Sequence, residues 1–427
     1  MPTSALLQLV AKGRQDIYLT SNPQFTFFKH VYRRYTPFAI ESIPIEMDGT
    51  LDFGRRISTI IPHKADLLST LFLEIDLPAI PPDTTDPENP VPIYWTNNIG
   101  HSMIEYISIE VGEKEIDRHT GEWLQIWSEL ITPADKKDGF NQMVGHWNVY
   151  PDPGQSAGPL SLSIPLRFWF CNSIGSALPL VALQAHPVRI IIQLRRFQDL
   201  WWTPALSCEI NQCTTTVTPV SPSRLQLYGD YIHLNPEERR RFVATDHEYL
   251  IDQLQYAPPH AVPYNISSVN IPLVFNHCCK EFIWVIQQDR VKKAHEWMNF
   301  TNLYQSIGGT CPDISGSSLQ DQLSSALIQL DGLDRFERRN ALYFRIIQPF
   351  QRHTNIPNDY IYLYSFSFRP EEEQPSGSLN CSKIDTINLN LVFNQATIAY
   401  DRTVTVYATN YNVFRVVGGL GGLAFYS

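Results

Sequence analysis

The stretch that decides the fold, SIEVGEKEIDRHTGEWLQIW at residues 108–127, has a faint internal repeat in LIQLDGLDRFERRNALYFRI at residues 327–346. Each copy starts with an alternating strand, passes through a glycine-containing turn and an Asp-Arg pair, and ends in an aromatic-bearing segment. The two Asp-Arg pairs, at Asp117 and Asp334, lie about half of the 427-residue chain apart. The repeat therefore predicts two similar β domains in tandem.

Alternating runs continue on both sides of this repeat. Period-2 alternation is typical of half-buried strands, and it occurs in FAIESIPIEM (38–47), LFLEIDL (71–77), YISIEV (106–111), SVNIPLVF (268–275), INLNLVF (387–393) and TVTVYAT (403–409). Two denser apolar runs, RFWF (167–170) and RIIIQL (189–194), predict more fully buried strands. With 31 prolines and 21 glycines available for turns, the pattern predicts an all-β chain of two tandem eight-stranded antiparallel jelly-roll β-sandwiches.

Three segments break the strand pattern. Residues 4–13 predict a short helix with a serine cap and a glycine stop. In GEWLQIWSELITP the apolar residues follow the spacing of one helix face before Pro133, namely Trp123, Ile126, Trp127, Leu130 and Ile131. Near mid-chain, Asn235 and Pro236 begin a third helix, whose glutamates precede its arginines as the helix dipole favours. We expect that helix to connect the two domains.

The charge distribution limits the classes of partner. A net charge of −10 argues against direct binding of nucleic acid, which requires a basic face. The first 36 residues are the exception, because Asp16 alone opposes the basic residues Lys12, Arg14, Lys29, Arg33 and Arg34. Such an arm suits an acidic partner or lipid headgroups, although a solvated arm has the same composition. The N-terminal apolar run is too short for a signal peptide, and no run reaches the length of a membrane span, so a cytosolic product is expected.

Motifs that carry chemistry are weak or incomplete. The chain contains neither the nucleophile elbow GxSxG nor the phosphate loop GxxxxGK[ST]. HEYLI (247–251) and HEWMN (295–299) lack the second histidine of a zinc protease. His277 beside Cys278 and Cys279 is the most metal-like cluster, but packing at a strand edge is the favoured interpretation. We therefore predict no catalytic residue, no cofactor and no metal.

Two further features concern the surface. The triplets at Asn265, Asn299 and Asn380 match the N-glycosylation sequon, and Asn299 is expected to be the most exposed because it lies in the long loop 289–325. The terminal VVGGLGGLAFYS (416–427) is rich in glycine, but too few residues follow Gly422 to form the helix of a phosphate loop. We expect the glycines to bend a tail that follows the last strand.

Longer blocks of the sequence carry a family resemblance. The block at 6–43, LLQLVAKGRQDIYLTSNPQFTFFKHVYRRYTPFAIESI, is followed in order by blocks at 167–190, 238–255, 332–336, 360–385 and 407–427. Together they resemble the major capsid proteins of nucleocytoplasmic large DNA viruses, on the algal-virus and giant-virus branch. The resemblance runs from end to end of the chain, and the long loops diverge.

The resemblance implies a double jelly roll with short helices in loops and at the domain junction. It divides the chain into an N-terminal arm (1–24), a first jelly roll (25–234), a connecting helix (235–246) and a second jelly roll (247–427). It implies homotrimers of pseudo-hexameric outline that tile an icosahedral shell over an internal membrane, and a structural role without catalysis. The expected location is the virion, after late synthesis in the host cytoplasm and assembly at viral factories.

The resemblance also implies partners. They are neighbouring capsomers, minor capsid and penton proteins and the internal membrane surface, with the basic residues of the arm on the inner side and glycans on the outer loops. Shorter outer loops and the Cys278-Cys279 pair depart from the family and leave a minor capsid paralogue as an alternative. A jelly-roll carbohydrate-binding protein that uses Trp201-Trp202 is a second alternative. A β-sandwich hydrolase lacks any visible acid/base constellation.

Overall fold

The computed structural model describes residues 3–30, 32–84, 91–146, 158–203, 217–302, 320–394 and 400–426. The chain divides into two units, Met1–Phe38 and Ala39–Ser427. The first unit contains helices α1 (Thr3–Val10) and α2 (Arg14–Thr20), and α1 confirms the helix expected near the N-terminus.

Strands dominate the chain from Phe38 to residue 234. They are β1 (Phe38–Ile45), β2 (Arg56–Ile60), β3 (Leu67–Leu77), β4 (Tyr94–Trp95), β5 (Ile104–Val111), β6 (Lys114–Thr120), β7 (Leu160–Pro165), β8 (Val188–Leu194), β9 (Trp201–Trp202) and β10 (Arg224–Leu234). Sheet A has the order β1-β10-β3-β7, sheet B has the order β2-β8-β5-β6, and β4 pairs with β9. We call sheets A and B together the first sandwich.

The chain from residue 247 onward repeats this arrangement. Its strands are β11 (His247–Tyr256), β12 (His260–Val262), β13 (Ser268–Leu273), β14 (Cys278–Gln288), β15 (Leu323–Leu330), β16 (Leu333–Asp334), β17 (Arg339–Asn340), β18 (Ile361–Ser365), β19 (Leu379–Asn380), β20 (Ile387–Phe393), β21 (Arg402–Val417) and β22 (Leu420–Leu423). Sheet C has the order β11-β21-β14-β18, and sheet D has the order β13-β20-β15-β16. These two sheets form the second sandwich.

The two sandwiches share one topology, strand for strand. In each sandwich eight strands divide between two sheets in the same order, which is the double jelly roll that the sequence predicts. Sheet C also carries the short strands β12, β19 and β22, and sheet D carries β17. Even an irregularity is shared. Ser69 is skipped where β3 pairs with β10, and Lys280 is skipped where β14 pairs with β21. Phe72 and Ile283 are equivalent, because each lies three residues after the bulge of its strand. Their cross-strand partners, Tyr228 of β10 and Tyr407 of β21, are therefore equivalent as well.

Short helices connect the strands. They are α3 (Ile99–Ser102), α4 (Gly121–Ile131), α5 (Lys137–Val144), α6 (Trp169–Asn172), α7 (Pro236–Ala244), α8 (Asp289–Lys293) and α9 (Gln348–Arg352), with 3-10 turns at Ile174–Ser176, Phe197–Asp199 and Cys381–Lys383 and a π-helical turn at Tyr343–Ile347. The helices predicted around Trp123 and after Asn235 are confirmed as α4 and α7. In α7 the Asn235 side chain accepts the Glu237 amide and Pro236 is the first helical residue.

One predicted strand is wrong. The run RFWF (167–170) ends in the helical turn α6, because Phe168, Trp169 and Phe170 all enter the first core and the Cys171 amide donates back to the Phe168 carbonyl. A short apolar run predicts burial but does not distinguish a strand from a buried helical turn.

The glycine-rich tail forms a hairpin. Strand β21 turns back into β22 through Gly418 and Gly419, whose φ angles of 58° and 86° suit the tight turn between paired strands. The Gly419 carbonyl accepts the Ala185 amide of the first sandwich at 3.0 Å. The tail therefore bends after the last strand, as expected, and fastens the second sandwich to the first.

Candidate assembly surfaces

Helix α4 leaves the first sandwich and packs on the second. Thr120 caps it by accepting the Trp123 amide at 3.2 Å. Leu124 belongs to the core of the first sandwich. The stripe on the other face of the helix belongs to the core of the second sandwich and comprises Trp123, Ile126, Trp127 and Leu130. Helix α4 thereby contributes side chains to both cores.

Aromatic rings hold this junction. Trp123 stacks on Trp127 at 5.4 Å between ring centroids and tilts against Tyr407 of β21 at the same distance. Both tryptophans are at most 8% exposed. Strand β14, beside β21, is buried on both of its faces along most of its length. Burial of this aromatic surface makes α4 a large apolar contact between the sandwiches.

Hydrogen bonds extend the junction along the edge of β11. The Gln253 side chain donates to the Ile116 carbonyl, and the Leu254 amide donates to Asp117 Oδ1 at 3.1 Å. At the other end, Asn355 donates its amide to the Leu130 carbonyl at 2.9 Å and satisfies the C-terminus of α4. The hairpin β5–β6 and helix α4 thus contact the second sandwich together, and we call these two elements the clamp.

Charged groups are buried beside the clamp. Asp117 Oδ2 lies 2.9 Å from His119 Nε2. The bulge residue Lys280 is fully buried, lies 2.8 Å from Asp252 Oδ2, and donates to the Pro370 carbonyl at 2.7 Å. Burial raises the pKa of Asp252 although Lys280 opposes that shift. Pairing within the low-dielectric junction compensates the charges but makes the loss of one partner costly.

His353 forms the second charged group of this region. Its two ring nitrogens each lie 2.9 Å from a carboxylate, Nε2 from Glu281 and Nδ1 from Glu371. Burial alone would lower the pKa of His353, but the two carboxylates outweigh it and raise the pKa to about 9. At neutral pH the protonated His353 therefore forms ion pairs with both Glu281 of β14 and Glu371, which lies in the loop after β18.

The cavity among these charges is small. It has a volume of about 30 Å³ and is lined by Asp117, His119, Asp252, Lys280 and neighbouring aromatics. That volume holds about one water molecule and no sugar or other substrate. The cluster therefore has a structural role, and the described residues contain no group of three or more potential ligands arranged for a metal ion.

The tryptophan pair of the carbohydrate-binding alternative is not a sugar platform. Trp202 is 3% exposed and packs on Tyr94 at 5.9 Å, while Trp201 lies edge-on to His295 at 5.5 Å. Trp202 is thus buried against its cross-strand partner Tyr94, and Trp201 is half-buried, so the two rings do not form one open face.

The three sequons differ in accessibility. Asn265 and Asn380 are exposed, and their glycosylation stays a prediction. Asn299 is 7% exposed, and its Nδ2 donates to Glu296 Oε2 at 2.6 Å while its Oδ1 accepts the Thr301 amide. The expectation that Asn299 is the most exposed sequon is therefore wrong, since local hydrogen bonds hold it inside its loop.

The N-terminal unit presents both charge and apolar surface. Its basic residues are all exposed: Lys12, Arg14, Lys29, Arg33 and Arg34. Its large apolar side chains are exposed too, among them Leu7, Tyr18, Phe27, Phe28 and Tyr35. In the parts of the chain that the structure describes, no helix is both long and apolar enough to cross a bilayer. The arm has the surface of a docking segment.

Comparison with known proteins agrees with this architecture. The model for the major capsid protein N-terminus matches residues 26–235, and the model for the large eukaryotic DNA virus major capsid protein matches residues 238–422. The chain is 36% identical to the major capsid protein of Pyramimonas orientalis virus, covering 98% of each chain. It is 34% identical to that of Phaeocystis pouchetii virus, covering 98% of this chain and 99% of the relative.

Solved structures give the same result. The subunit in the quasi-atomic model of the PBCV-1 virus capsid aligns with a TM-score of 0.77 at 29% identity, over 94% of this chain and all of that one. The Faustovirus major capsid protein shares the fold with a TM-score of 0.74 at 12% identity, over 97% and 96% of the two chains. With its double jelly roll and its two matched halves, this chain belongs to the family of large eukaryotic DNA virus major capsid proteins, structural proteins of the capsid shell rather than enzymes.

Proposed function

We propose that the chain assembles into homotrimers of pseudo-hexameric outline, which tile the icosahedral shell of a large DNA virus. The observation that carries the proposal is the strand-for-strand repetition of one jelly roll within the chain. Three copies supply six similar blocks, which can close into a ring through a repeated heterologous contact. Such a ring packs with equal neighbours on all sides, as a shell requires.

Light scattering on the purified chain tests the trimer. We expect a particle of three times the 49.0 kDa chain mass at micromolar concentration, with three equal lobes, each holding two sandwiches, in electron micrographs. A strictly monomeric or dimeric particle over the same concentration range would contradict the proposal.

The N-terminal arm is proposed to lie on the inner side of the shell. Its exposed basic and apolar side chains suit both an acidic membrane surface and the apolar grooves of minor capsid or penton proteins. Removal of residues 1–36, which include all five basic residues, should leave trimers intact but abolish their flotation with anionic lipid vesicles. Flotation that persists without the arm would contradict this placement.

Three smaller proposals follow from the same assignment. The domain boundaries are the arm at 1–24, the first jelly roll at 25–234, the connecting segment at 235–246 and the second jelly roll at 247–427.

Asn265 and Asn380 are proposed to carry glycans, and peptide mass mapping of virions tests them against the buried Asn299. Assembly is proposed to occur at viral factories after late synthesis, and time-resolved imaging of infected cells tests that step.

A further inference from the structure

We propose that the second sandwich carries its own copy of the α4 clamp, and that this copy docks on the first sandwich of a neighbouring chain. The surface consists of the exposed apolar side chains of the helical segment 341–352, which we call the second stripe. The inference rests on the proposed trimer and specifies where its subunits meet.

The two helices begin in the same way. Each follows a hairpin, β5–β6 in the first sandwich and β15–β16 with β17 in the second. Thr120 accepts the amide of the residue three positions on, Trp123, at 3.2 Å, and Asn340 accepts that of Tyr343 at the same distance. The caps therefore make the starts of the two helices equivalent, and the second helix then passes through the π-helical turn Tyr343–Ile347.

Counting from the caps aligns the apolar residues as well. The clamp has Ile126, Trp127 and Leu130 at positions six, seven and ten after Thr120, and the second stripe has Ile346, Ile347 and Phe350 at the same positions after Asn340. The next pair also agrees, since Leu124 enters the first core and Phe344, four after its cap, enters the second. Each helix thus anchors one face in its own sandwich.

The outer faces of the two helices differ in exposure. On α4 this face is buried against the second sandwich. On segment 341–352 it is open, with Ile346, Ile347 and Phe350 exposed by 36%, 43% and 74%. Three adjacent apolar side chains of this size form a patch of the kind that marks an interaction site.

The first sandwich has the matching uncovered surface. Tyr228 holds the sheet position of Tyr407, against which the clamp packs Trp123, yet Tyr228 is only half-buried. Phe72, opposite Tyr228, is half-buried, whereas its counterpart Ile283 is fully buried. Strand β1 at the edge is also more exposed than its counterpart β11. Among the residues that the structure describes, sheet A therefore lacks the cover that α4 gives to sheet C.

Charges of both signs surround the two surfaces. Arg338 and Arg339, next to the second stripe, are exposed together with Glu337. On sheet A, Glu74 and Asp76 lie within 4.0 Å of Arg224 and Glu41 lies 3.6 Å from His233, and these three carboxylate side chains stay between 37% and 66% exposed. Opposite charges around an apolar centre favour the correct partner and register. A second copy of the chain presents both surfaces at once, and the contact is heterologous, as ring closure requires.

Substitution of the second stripe tests the docking. Ile347→Asp should weaken trimer formation by roughly thirtyfold or more, the loss seen when a central buried anchor is removed, with an unchanged circular dichroism spectrum. Val274→Asp is the matched control, because Val274 is 85% exposed and lies outside the stripe. Equal trimer stability in the two variants would overturn the inference.

Cross-linking distinguishes failure of the docking from failure of the trimer. In the double variant Tyr228→Cys with Ile346→Cys, a short bismaleimide should join the two positions between chains, and mass mapping should identify the linked peptides. Each single variant serves as a control. A trimer by light scattering without this linked peptide would overturn the docking and leave the proposed function standing. A chain that stays monomeric would overturn both.

Discussion

Strands β3 and β14 hold equivalent places in the two sandwiches but differ in burial. Along β14 nearly every residue is buried, while along β3 buried residues alternate with half-exposed ones such as Phe72 and Glu74. The strands have the same neighbours within their own sheets. On sheet C, α4 and the His353 region cover the outer face of β14, and the described part of the chain places no such helix on sheet A. We propose that sheet A receives the equivalent cover from a second copy of the chain.

The largest loss of stability is expected for substitutions in α4, which is already packed against the second sandwich. Trp127→Ala should lower the free energy of unfolding by about 3–5 kcal/mol, because it leaves a cavity between the two cores. The equivalent substitution in the second stripe, Ile347→Ala, should change it by less than about 0.5 kcal/mol in a dissociated subunit. Chemical denaturation at concentrations that give the mass of a single chain measures both. Equal losses would remove the distinction between the two helices.

The bulge residues give the next largest difference. Lys280→Ala should cost about 3 kcal/mol or more, since it leaves Asp252 without its partner in the junction. At the equivalent bulge, Ser69→Ala removes one hydrogen bond to the Asp230 carbonyl and should cost about 1 kcal/mol. Denaturant titration at neutral pH compares them. The double variant Lys280→Met with Asp252→Leu should recover most of the loss, and failure to recover would contradict the pairing.

His353 makes the covered junction sensitive to pH. Its pKa rises from 6.5 to about 9 on folding, so the stabilisation is fully present below about pH 6.5 and is lost as the pH rises through about 9. The change amounts to roughly 3 kcal/mol. Thermal unfolding of the wild type should show this loss between pH 6.5 and 9.5, while His353→Gln should be less stable at pH 6.5 and lack this part of the pH dependence. An unchanged profile in the variant would contradict the assignment.

The smallest effect should be the same in both sandwiches. Thr120→Ala and Asn340→Ala each remove one cap from equivalent helices, and each should cost about 1 kcal/mol. Because both helices have such a cap, the cost of removing it should be the same whether or not the helix packs against another sandwich. A loss at Thr120 alone would show that segment 341–352 is not built as a copy of α4.

The sequence predicts the architecture well because the fold depends on local patterns. The alternation around Ile109 and Ile328 gives the strands, the spacing of Trp123 and Trp127 gives α4, and Asn235 with Pro236 marks the helix between the sandwiches. Each of these signals acts within a few residues of its own position. The repeat of residues 108–127 then extends the local result to the whole chain.

The contacts between sandwiches could not be predicted in this way. Lys280 and Glu281 lie in a run of apolar residues, and their partners Asp252 and His353 are about 30 and 70 residues away, so only the folded chain brings them together. The burial of Trp202 against Tyr94, its partner across β4 and β9, is likewise a contact between distant segments that the local sequence does not show.

We propose that the same helix packing is used twice, by α4 within the chain and by segment 341–352 between chains. An electron cryomicroscopy reconstruction of the assembled capsomer tests it most directly. We expect Ile347 and Phe350 to be buried over Tyr228 of the neighbouring subunit, in the arrangement of α4 over Tyr407. A closed trimer in which these side chains face solvent, or contact a different surface, would contradict the account.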